Sequence, residues 1–396
     1  MSILIINNYK KYLYSELFPE VVDKLVVLSS HPLPDSDQFL YFELIEDMSN
    51  AFYAELRAIE LHQTYFFTSI VAEDEFDLVL AGRLRDHLGI PGQSEASAIA
   101  FRDKVLMKNY LKDELILPFY RPLATFYELL EFIEQHGYPV VVKPRDGAAS
   151  VNLNILHNKE ELIEFAKKPW EHNLMVESYI AGEMYHVDAL IKNDETVILS
   201  ISKYINGCLA FTESKSLGSY QLHPDEIMYQ RLSDYFYKVL SFYPTPNITA
   251  YHLEVYHTTQ DEFVFCEIAS RIGGGYILET VQHAFDVDMS RYWLRHLCEL
   301  NESRGTPVPK ELSGWLLIPP QKAKLIFLPE SIPFNWVKKY VKSGKEGMSY
   351  DNPNRSIERV AGFVITDNTS HGLLEKLKFL DKWYRDQLMW EDIGIV

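Results

Sequence analysis

Two glutamates, Glu254 and Glu267, lie on neighbouring segments that alternate apolar and polar residues. If these segments form a hairpin that turns between Gln260 and Asp261, the two glutamates are directly opposed. Opposed side chains on paired strands have Cβ atoms about 4.5–5.5 Å apart, so two carboxylates there repel unless one is protonated or a cation lies between them. A divalent cation that prefers oxygen ligands is the natural solution, so the pattern predicts a metal site.

The same alternation predicts two faces for the hairpin. The apolar face is expected to contain Leu253, Val255, Val264, Cys266 and Ile268. The other face carries His252 and, beyond the second strand, Arg271, whose guanidinium would donate in bidentate fashion to a phosphate or an oxyanion. Three alternatives stay open: a solvated face whose glutamates do not interact, a register slip that separates the two sides, and a carboxyl pair that shares a proton.

A candidate phosphate site follows a strand rich in β-branched residues that ends at Lys143. The loop behind it, at 146–150, contains only Asp, Gly, Ala and Ser, and small residues allow backbone amides to approach a phosphate. This is no Walker loop, because the GxxxxGK[ST] pattern is absent. Glu177 ends a later strand, where its carboxylate and free backbone groups would suit an adenine amino group. Ordinary surface or ion-paired roles stay open for Lys143, Glu177 and Lys104.

Strands and helices must place these residues, and hydrophobic spacing predicts where they lie. Strands at 2–7 and 68–72 alternate with helices at 50–62 and 73–88, which predicts an α/β unit with a parallel sheet over residues 1–95. Further helices are predicted at 101–112, 124–136, 159–168, 225–242 and 280–300. Further strands are predicted at 138–144, 151–156, 174–176, 186–191, 196–203, 252–255 and 263–268. A linker at 305–309 and two lid loops, at 146–152 and 212–222, complete the expected elements.

The composition excludes several classes of protein. The formal net charge is -18 and no basic face appears, which argues against nucleic-acid binding. Three cysteines, Cys208, Cys266 and Cys298, form no CxxC pair, which argues against a disulfide scaffold or a cysteine-rich zinc site. No apolar run reaches the roughly 18 residues of a membrane helix, and the N-terminal residues have the pattern of a strand rather than a signal peptide. The expected compartment is the cytoplasm.

Taken in order, these segments resemble the ATP-grasp superfamily over roughly residues 70–300. The matching motifs are Arg102-Asp103-Lys104, Val141-Val142-Lys143-Pro144, Val176-Glu177-Ser178-Tyr179-Ile180-Ala181-Gly182-Glu183, His252-Leu253-Glu254 and Glu267-Ile268-Ala269-Ser270-Arg271-Ile272-Gly273-Gly274. Within the superfamily the chain looks most like the carboxylate-amine ligases of the L-amino-acid (dipeptide) ligase group. Biotin carboxylase and phosphoribosylamine–glycine ligase are more distant relatives.

This resemblance implies a mixed α/β and α+β chain with the ATP-grasp fold. A Rossmann-like α/β domain would span 1–97, the ATP-grasp domain 98–304, and a small C-terminal α+β domain 305–396. The ATP-grasp domain would divide into a small lobe at 98–175 and a large lobe at 176–304.

The resemblance also implies a role for each motif residue. Contacts to ATP would come from Lys104, Lys143, Ser150, Glu177, Tyr179, Ile180 and Glu183, with the lysines on the phosphates, Glu177 on adenine and Glu183 on ribose. Glu254 and Glu267 would hold Mg²⁺, two ions being usual, and Mn²⁺ would substitute. Arg271 and the backbone around Gly274 would stabilise the acyl phosphate and the tetrahedral intermediate. Ala269 departs from the family, which commonly carries a metal-binding Asn at that position.

The expected reaction is the ATP-dependent joining of a small carboxylate, such as an amino acid, to an amine through an acyl phosphate, with release of ADP and phosphate. The expected partners are these small molecules, without nucleic acid or membrane, and a homodimer is left open because many relatives are dimers. Four alternatives are kept: an ATP-grasp carboxylase acting on bicarbonate, a ligase that loads a carrier protein, a non-catalytic nucleotide-binding module, and an unrelated α/β protein that matches the motifs by chance.

Overall fold

A computed structural model describes residues 2–48, 51–170, 173–207, 210, 214–300, 302 and 308–392. Cys208, the start of the expected 212–222 loop and most of the expected linker at 305–309 lie outside the described residues. The α-helices are α1 (Tyr14–Leu17), α2 (Ala51–Tyr65), α3 (Leu78–Leu88), α4 (Glu95–Ala100), α5 (Lys104–Leu111), α6 (Phe126–His136), α7 (Lys159–Ala166), α8 (Ile227–Leu240), α9 (Ile277–Phe285), α10 (Met289–Leu297) and α11 (Ser370–Gln387).

The strands fall into four sheets within the described part of the chain. They are β1 (Ser2–Asn7), β2 (Leu25–Ser29), β3 (Tyr41–Leu44), β4 (Phe67–Val71), β5 (Tyr120–Leu123), β6 (Val140–Pro144), β7 (Asn154–Leu156), β8 (Leu174–Ser178), β9 (Glu183–Lys192), β10 (Glu195–Ile205), β11 (Leu217–Gln221), β12 (Ile248–His257), β13 (Phe263–Ala269), β14 (Leu312–Ile318), β15 (Ala323–Phe327), β16 (Val337–Lys342), β17 (Ser349–Tyr350), β18 (Ala361–Asp367) and β19 (Met389–Glu391). Within the described ranges, no helix is both long and apolar enough to cross a membrane.

The N-terminal unit contains a parallel sheet, as predicted. Its strand order is β3-β2-β1-β4. Every residue of β1 and β2 is buried, because a parallel sheet covered on both faces needs apolar side chains on both. The helix predicted from residue 73 begins only at Leu78, with Asp77 at its N-cap position. Residues 73–77 therefore form a loop at the carboxyl end of β4, and this loop reaches the functional site.

The small lobe contains an antiparallel sheet with strand order β5-β8-β6-β7. The predicted hairpin over 138–156 is confirmed, with Val140 paired to Leu156. The return strand is shorter than predicted, because Ala149, Ser150 and Asn152 adopt left-handed backbone angles with φ of 53°, 56° and 58°. These conformations are uncommon for residues other than glycine, and they widen the turn into the loop behind Lys143.

The large lobe and the C-terminal segment share one sheet with strand order β13-β12-β9-β10-β11-β14-β18-β16. The junction is the antiparallel pairing of β11 with β14, where Leu217 lies opposite Leu317. One buried cluster accordingly includes Leu253 from the hairpin and Phe363 from β18. The C-terminal strands thus extend the sheet of the large lobe, while the domain boundaries given above stay predictions.

Two predicted elements are wrong. The expected lid loop at 212–222 contains β11, a fully buried strand within the large sheet. Its polar residues are compatible with burial because neighbouring strands supply partners: Gln221 Nε2 donates to Ser200 Oγ at 2.9 Å, and the Ser313 N–H donates to Gln221 Oε1 at 2.7 Å. The helix predicted over 280–300 is two helices, α9 and α10, separated where Asp286 has φ of 58°.

A buried cluster of ionisable residues crosses the large sheet where β9 pairs with β12. Asp188 lies opposite His252 and accepts hydrogen bonds from both imidazoles, at 2.5 Å from His186 Nδ1 and 2.8 Å from His252 Nδ1. The other nitrogen of His186 is 2.8 Å from Ser219 Oγ. Burial alone lowers the pKa of His252, but Asp188 and Glu254 outweigh it and raise this pKa to about 9. Burial alone raises the pKa of Asp188, and the two histidines lower it overall.

The cluster predicts a pH-dependent loss of stability. The folded-state pKa of His252 is above its unfolded value, so its contribution is fully present below about pH 6.5 and is lost as pH rises through about 9. We expect this contribution to be on the order of 3 kcal/mol, because the imidazole is buried. Thermal unfolding between about pH 6 and about pH 10 should show a steeper loss for the wild type than for His252→Gln. Equal pH slopes in the two proteins would contradict the assignment.

Candidate functional site

The hairpin of β12 and β13 places Glu254 directly opposite Glu267, as predicted. The register shifts just beyond this pair, so that Val255 lies opposite Phe265 and Cys266 is the extra residue of a bulge. The turn is centred on Gln260, because the Thr258 N–H donates to the Glu262 carbonyl. The predicted pair is correct because two differences from the prediction cancel. The turn centred on Gln260 shifts the register by one residue, and the bulge shifts it back by one residue.

The bulge changes which side chains enter the core. Phe265 packs with Leu253, Val255 and Ile268 in the main buried cluster. Cys266 instead lines the cleft that contains the two glutamates. The prediction of an apolar face with Cys266 is therefore wrong. The prediction also fails for Val264, which lies opposite Tyr256, another residue of the cleft wall.

Glu254 and Glu267 are both ionised although their side chains are largely buried. Glu267 Oε2 is 3.1 Å from Lys104 Nζ, and Glu254 Oε1 accepts a 2.8 Å hydrogen bond from the Tyr204 hydroxyl. Burial raises the pKa of Glu267, but Lys104 and Lys143 outweigh burial and lower it to about 2. Burial and Glu267 raise the pKa of Glu254, but hydrogen bonding leaves it below its ordinary value. Two opposed carboxylates in this state form an oxygen donor set that suits Mg²⁺.

A third carboxylate, Glu177, lies between two lysines. Its oxygens are 2.5 Å from Lys143 Nζ and 3.1 Å from Lys108 Nζ, and Lys108 Nζ also donates to the Cys266 carbonyl at 2.8 Å. Burial lowers the pKa of Lys108. Burial also lowers the pKa of Lys143, but Glu177, Cys266 and Glu267 together outweigh burial and raise this pKa overall. The sequence shows Lys108 one helical turn after Lys104, but its role follows from burial against β13. The predicted contact of Glu177 with adenine stays a prediction.

The cleft beside these residues has about 730 Å³ of empty space, part of which is open to solvent. It brings together most of the predicted nucleotide and metal ligands, namely Lys104, Lys143, Ser150, Glu177, Tyr179, Ile180, Glu254 and Glu267. The loop after β6 forms one wall, and Lys104 Nζ ties it down by donating to the Gly147 carbonyl at 2.7 Å. Glu183 is not among the lining residues: it is exposed and lies 2.5 Å from Lys203 Nζ. Its predicted contact with ribose has no support from this geometry.

A second cavity, of about 1190 Å³, meets the cleft at the two glutamates. The two spaces share Glu254, Glu267 and the 148–150 loop. The second cavity also contains Arg271 and Gly274, and its walls include the 73–76 loop of the N-terminal unit, together with Trp315 and residues 356–357 of the C-terminal segment. The two spaces therefore adjoin at the glutamate pair.

The three glycines after Arg271 differ in what an added side chain would meet. A Cβ atom on Gly273 would approach His252 Nδ1 to 2.6 Å, so the buried cluster excludes it. Gly275 has φ of 69° and its Cβ would lie 2.8 Å from the Trp315 ring. A Cβ on Gly274 would meet nothing within 4 Å among the described residues, and Gly274 lines the second cavity. The backbone at Gly274 is thus accessible from the second cavity, while its predicted role towards the acyl phosphate and the tetrahedral intermediate stays a prediction.

The guanidinium of Arg271 is oriented in part by Glu75, a residue that the sequence analysis did not single out. Its Nε donates to Glu75 Oε2 at 2.8 Å, and its Nη1 donates to the Ile272 carbonyl at 2.9 Å. Arg102 Nη1 donates to the other oxygen of Glu75 at 2.6 Å. Glu75 and Arg271 are separated by 196 residues in the sequence. Local sequence patterns carry no information about such a pair.

The comparisons with known proteins agree with this geometry. Residues 101–230 match a family described as an ATP-grasp domain. The chain is 28% identical over 260 residues to an L-arginine-specific L-amino acid ligase from Bacillus subtilis, an alignment that covers 62% of this chain and 61% of that relative. The chain therefore matches less than two thirds of the relative's length.

Two solved structures share the fold. An L-amino acid ligase from Bacillus licheniformis superposes with a TM-score of 0.77 at 18% identity, covering 100% of this chain and 99% of the other. A carboxyaminoimidazole ribonucleotide synthase from Aspergillus clavatus, solved with ATP, has a TM-score of 0.68 at 14% identity and covers 96% of this chain and 99% of its own. With the motif residues assembled around one cleft, these matches lead to one conclusion: residues 101–230 match an ATP-grasp domain, and the chain has the ATP-grasp fold, which it shares with an L-amino acid ligase.

Proposed function

We propose that the protein is a Mg-ATP-dependent carboxylate-amine ligase that acts through an acyl phosphate. The observation that carries this proposal is the meeting of two cavities at Glu254 and Glu267. One cavity has the lysines that a nucleotide needs, and the other has space, an arginine and an open backbone for a second molecule. Such an arrangement suits transfer of a phosphoryl group between two bound molecules, because it holds them adjacent.

In the first step, an oxygen of the substrate carboxylate bonds to the γ-phosphorus of ATP, and the bond to the bridging oxygen of ADP breaks. Lys104 and Lys143 lie beside the cleft, where their charges offset the charge that develops on the transferring group. Mg²⁺ held by Glu254 and Glu267 would supply further neutralisation of the phosphate oxygens. Ala269 stands where the family commonly has Asn, so we propose that water completes the coordination at this side.

In the second step, the amine nitrogen bonds to the acyl carbon and loses a proton, and the carbon–oxygen bond to phosphate breaks. Arg271 donates to the oxyanion of the tetrahedral intermediate. Water must be excluded, because it would otherwise hydrolyse the acyl phosphate. The loop at 148–150 lies over both cavities, and its Ala149 carbonyl accepts a 3.4 Å hydrogen bond from the Ser356 N–H.

The substrates are proposed by class. The similarity to an L-arginine-specific L-amino acid ligase favours amino acids as both carboxylate and amine. Two Mg²⁺ ions, with Mn²⁺ as a substitute, and a homodimer are proposed by analogy with the superfamily. The cytoplasm is the proposed compartment, because the described cysteines, Cys266 and Cys298, are free buried thiols.

The ligase activity predicts ADP and phosphate release that depends on Mg²⁺ and on both a carboxylate and an amine. Pairs of amino acids and small carboxylates should be screened, with phosphate and amide product measured together. Glu267→Gln should lower kcat by about 100-fold or more, because it removes a metal ligand and a charge from the site. The matched control is Glu262→Gln, in the exposed turn of the same hairpin, which should retain wild-type activity. ATP binding without turnover over the whole panel would favour a nucleotide-binding module.

The glycine run predicts a separation of substrate binding from stability. Gly274→Ala should leave the melting temperature unchanged, since no atom of the described residues lies within 4 Å of the added methyl, and should raise the KM of the second-cavity substrate by about 10-fold. Gly275→Ala should lower the free energy of unfolding by about 1–3 kcal/mol, because of its positive φ and the Trp315 ring. Thermal unfolding and steady-state kinetics check both variants. An unchanged KM in Gly274→Ala would place the substrate elsewhere.

A further inference from the structure

The loop after β4 belongs to the N-terminal unit, yet its Glu75 contacts the arginine that faces the glutamate pair. Glu75 binds Arg271 through one carboxylate oxygen at 2.8 Å and Arg102 through the other at 2.6 Å. The three side chains are 11%, 18% and 10% exposed, respectively, so water competes weakly for these hydrogen bonds. Arg102 is further restrained by Phe76, whose ring centroid is 4.6 Å from the guanidinium carbon.

The two contacts of Arg271 fix the plane of its guanidinium. A guanidinium is a rigid fork, so bonds from Nε to Glu75 and from Nη1 to the Ile272 carbonyl determine where its remaining N–H groups lie. In the described part of the chain, Nη2 of Arg271 has no protein acceptor, and Arg271 lines the cavity together with Glu254 and Glu267. The remaining N–H groups are therefore available to a ligand in that cavity.

The group of Glu75, Arg271 and Arg102 keeps a net positive charge, so that Arg271 can still stabilise an oxyanion. Burial raises the pKa of Glu75, but Arg271, Arg102 and Lys104 lower it overall, so the carboxylate is ionised. One carboxylate between two guanidiniums leaves one positive charge, and the contact with Arg102 limits the part of the Glu75 charge that acts against Arg271. A carboxylate paired with Arg271 alone would cancel the charge that an oxyanion requires.

We infer that Glu75 is a positioning residue, through which the N-terminal unit orients Arg271 for the second half of the reaction. This inference rests on the proposed ligase function. Glu75 does not itself touch the reacting atoms in this account, and acts by fixing the donor that does. The competing explanation is that the Glu75 pairs only hold the N-terminal unit against the ATP-grasp domain.

The two explanations differ in what happens to the acyl phosphate. If Arg271 is misoriented, attack by the amine slows, and the intermediate has more time to react with water. The water oxygen then bonds to the acyl carbon, the bond to phosphate breaks, and the original carboxylate and phosphate are released. More phosphate than amide would be formed, whereas a purely structural role would change stability and leave this ratio unaltered.

The experiment compares Glu75→Gln with wild type on the substrate pair that gives most amide with wild type. We expect kcat for amide formation to fall by about 10- to 100-fold, because a small misplacement of a catalytic group has effects of this size. The ratio of phosphate to amide should rise above the wild-type value, and the Kd for Mg-ADP should stay unchanged. Glu55→Gln is the matched control, since Glu55 pairs with Arg83 at 3.1 Å in the same unit but away from the cavities.

A second variant keeps the test decisive if Glu75→Gln does not fold. Arg102→Lys retains both charges but loses the guanidinium contact to Glu75, and it should show the same rise in the phosphate-to-amide ratio to a smaller extent. A wild-type ratio and kcat in Glu75→Gln, or a ratio that changes equally in Glu55→Gln, would overturn the inference. If wild type itself forms no amide with any pair, the proposed ligase function fails, and the role of Glu75 fails with it.

Discussion

Two like charges, on Glu254 and Glu267, face each other across neighbouring strands in a place with little water. This arrangement is unfavourable by itself, because buried carboxylates repel and lack solvation. The surrounding structure compensates for it: Lys104 approaches Glu267, Tyr204 and His252 hydrogen-bond Glu254, and a divalent cation would complete the balance. Each of these groups comes from a different element, so the position of the glutamate pair constrains α5, β10 and the hairpin together.

The lysines beside the glutamate pair are also like charges that different elements bring close together. Lys104 and Lys108 lie one turn apart on α5, and Lys143 is the last residue but one of β6. A helix and a strand of the small lobe thus bring three positive charges to the edge of the large sheet. Glu177 separates two of these charges and allows Lys108 to be fully buried. Binding of an ATP phosphate would place new negative charge against a surface whose positive groups are already held in place.

Much of this site could be predicted from local patterns, since alternation predicts strand faces and the glutamate pair lies within a single hairpin. The bulge at Cys266 could not be predicted, because it depends on how Phe265 packs in the core. The burial of β11 was missed for a related reason: Ser219 and Gln221 appear solvent-facing until their partners on adjacent strands are known. Glu75 was missed because its arginine partners are distant in the sequence. Long-range pairing, rather than residue type, separates what was predicted from what was not.

The continuity of the large sheet through β11 and β14 limits how this architecture can be altered. The C-terminal strands supply Trp315 to the cavity wall and also cover the edge of β11. Removing the C-terminal segment would leave the buried strand β11 with unpaired backbone groups along one edge, a surface that favours aggregation. Substrate preference in this scaffold is therefore better changed by single side chains on the cavity wall than by recombining whole segments.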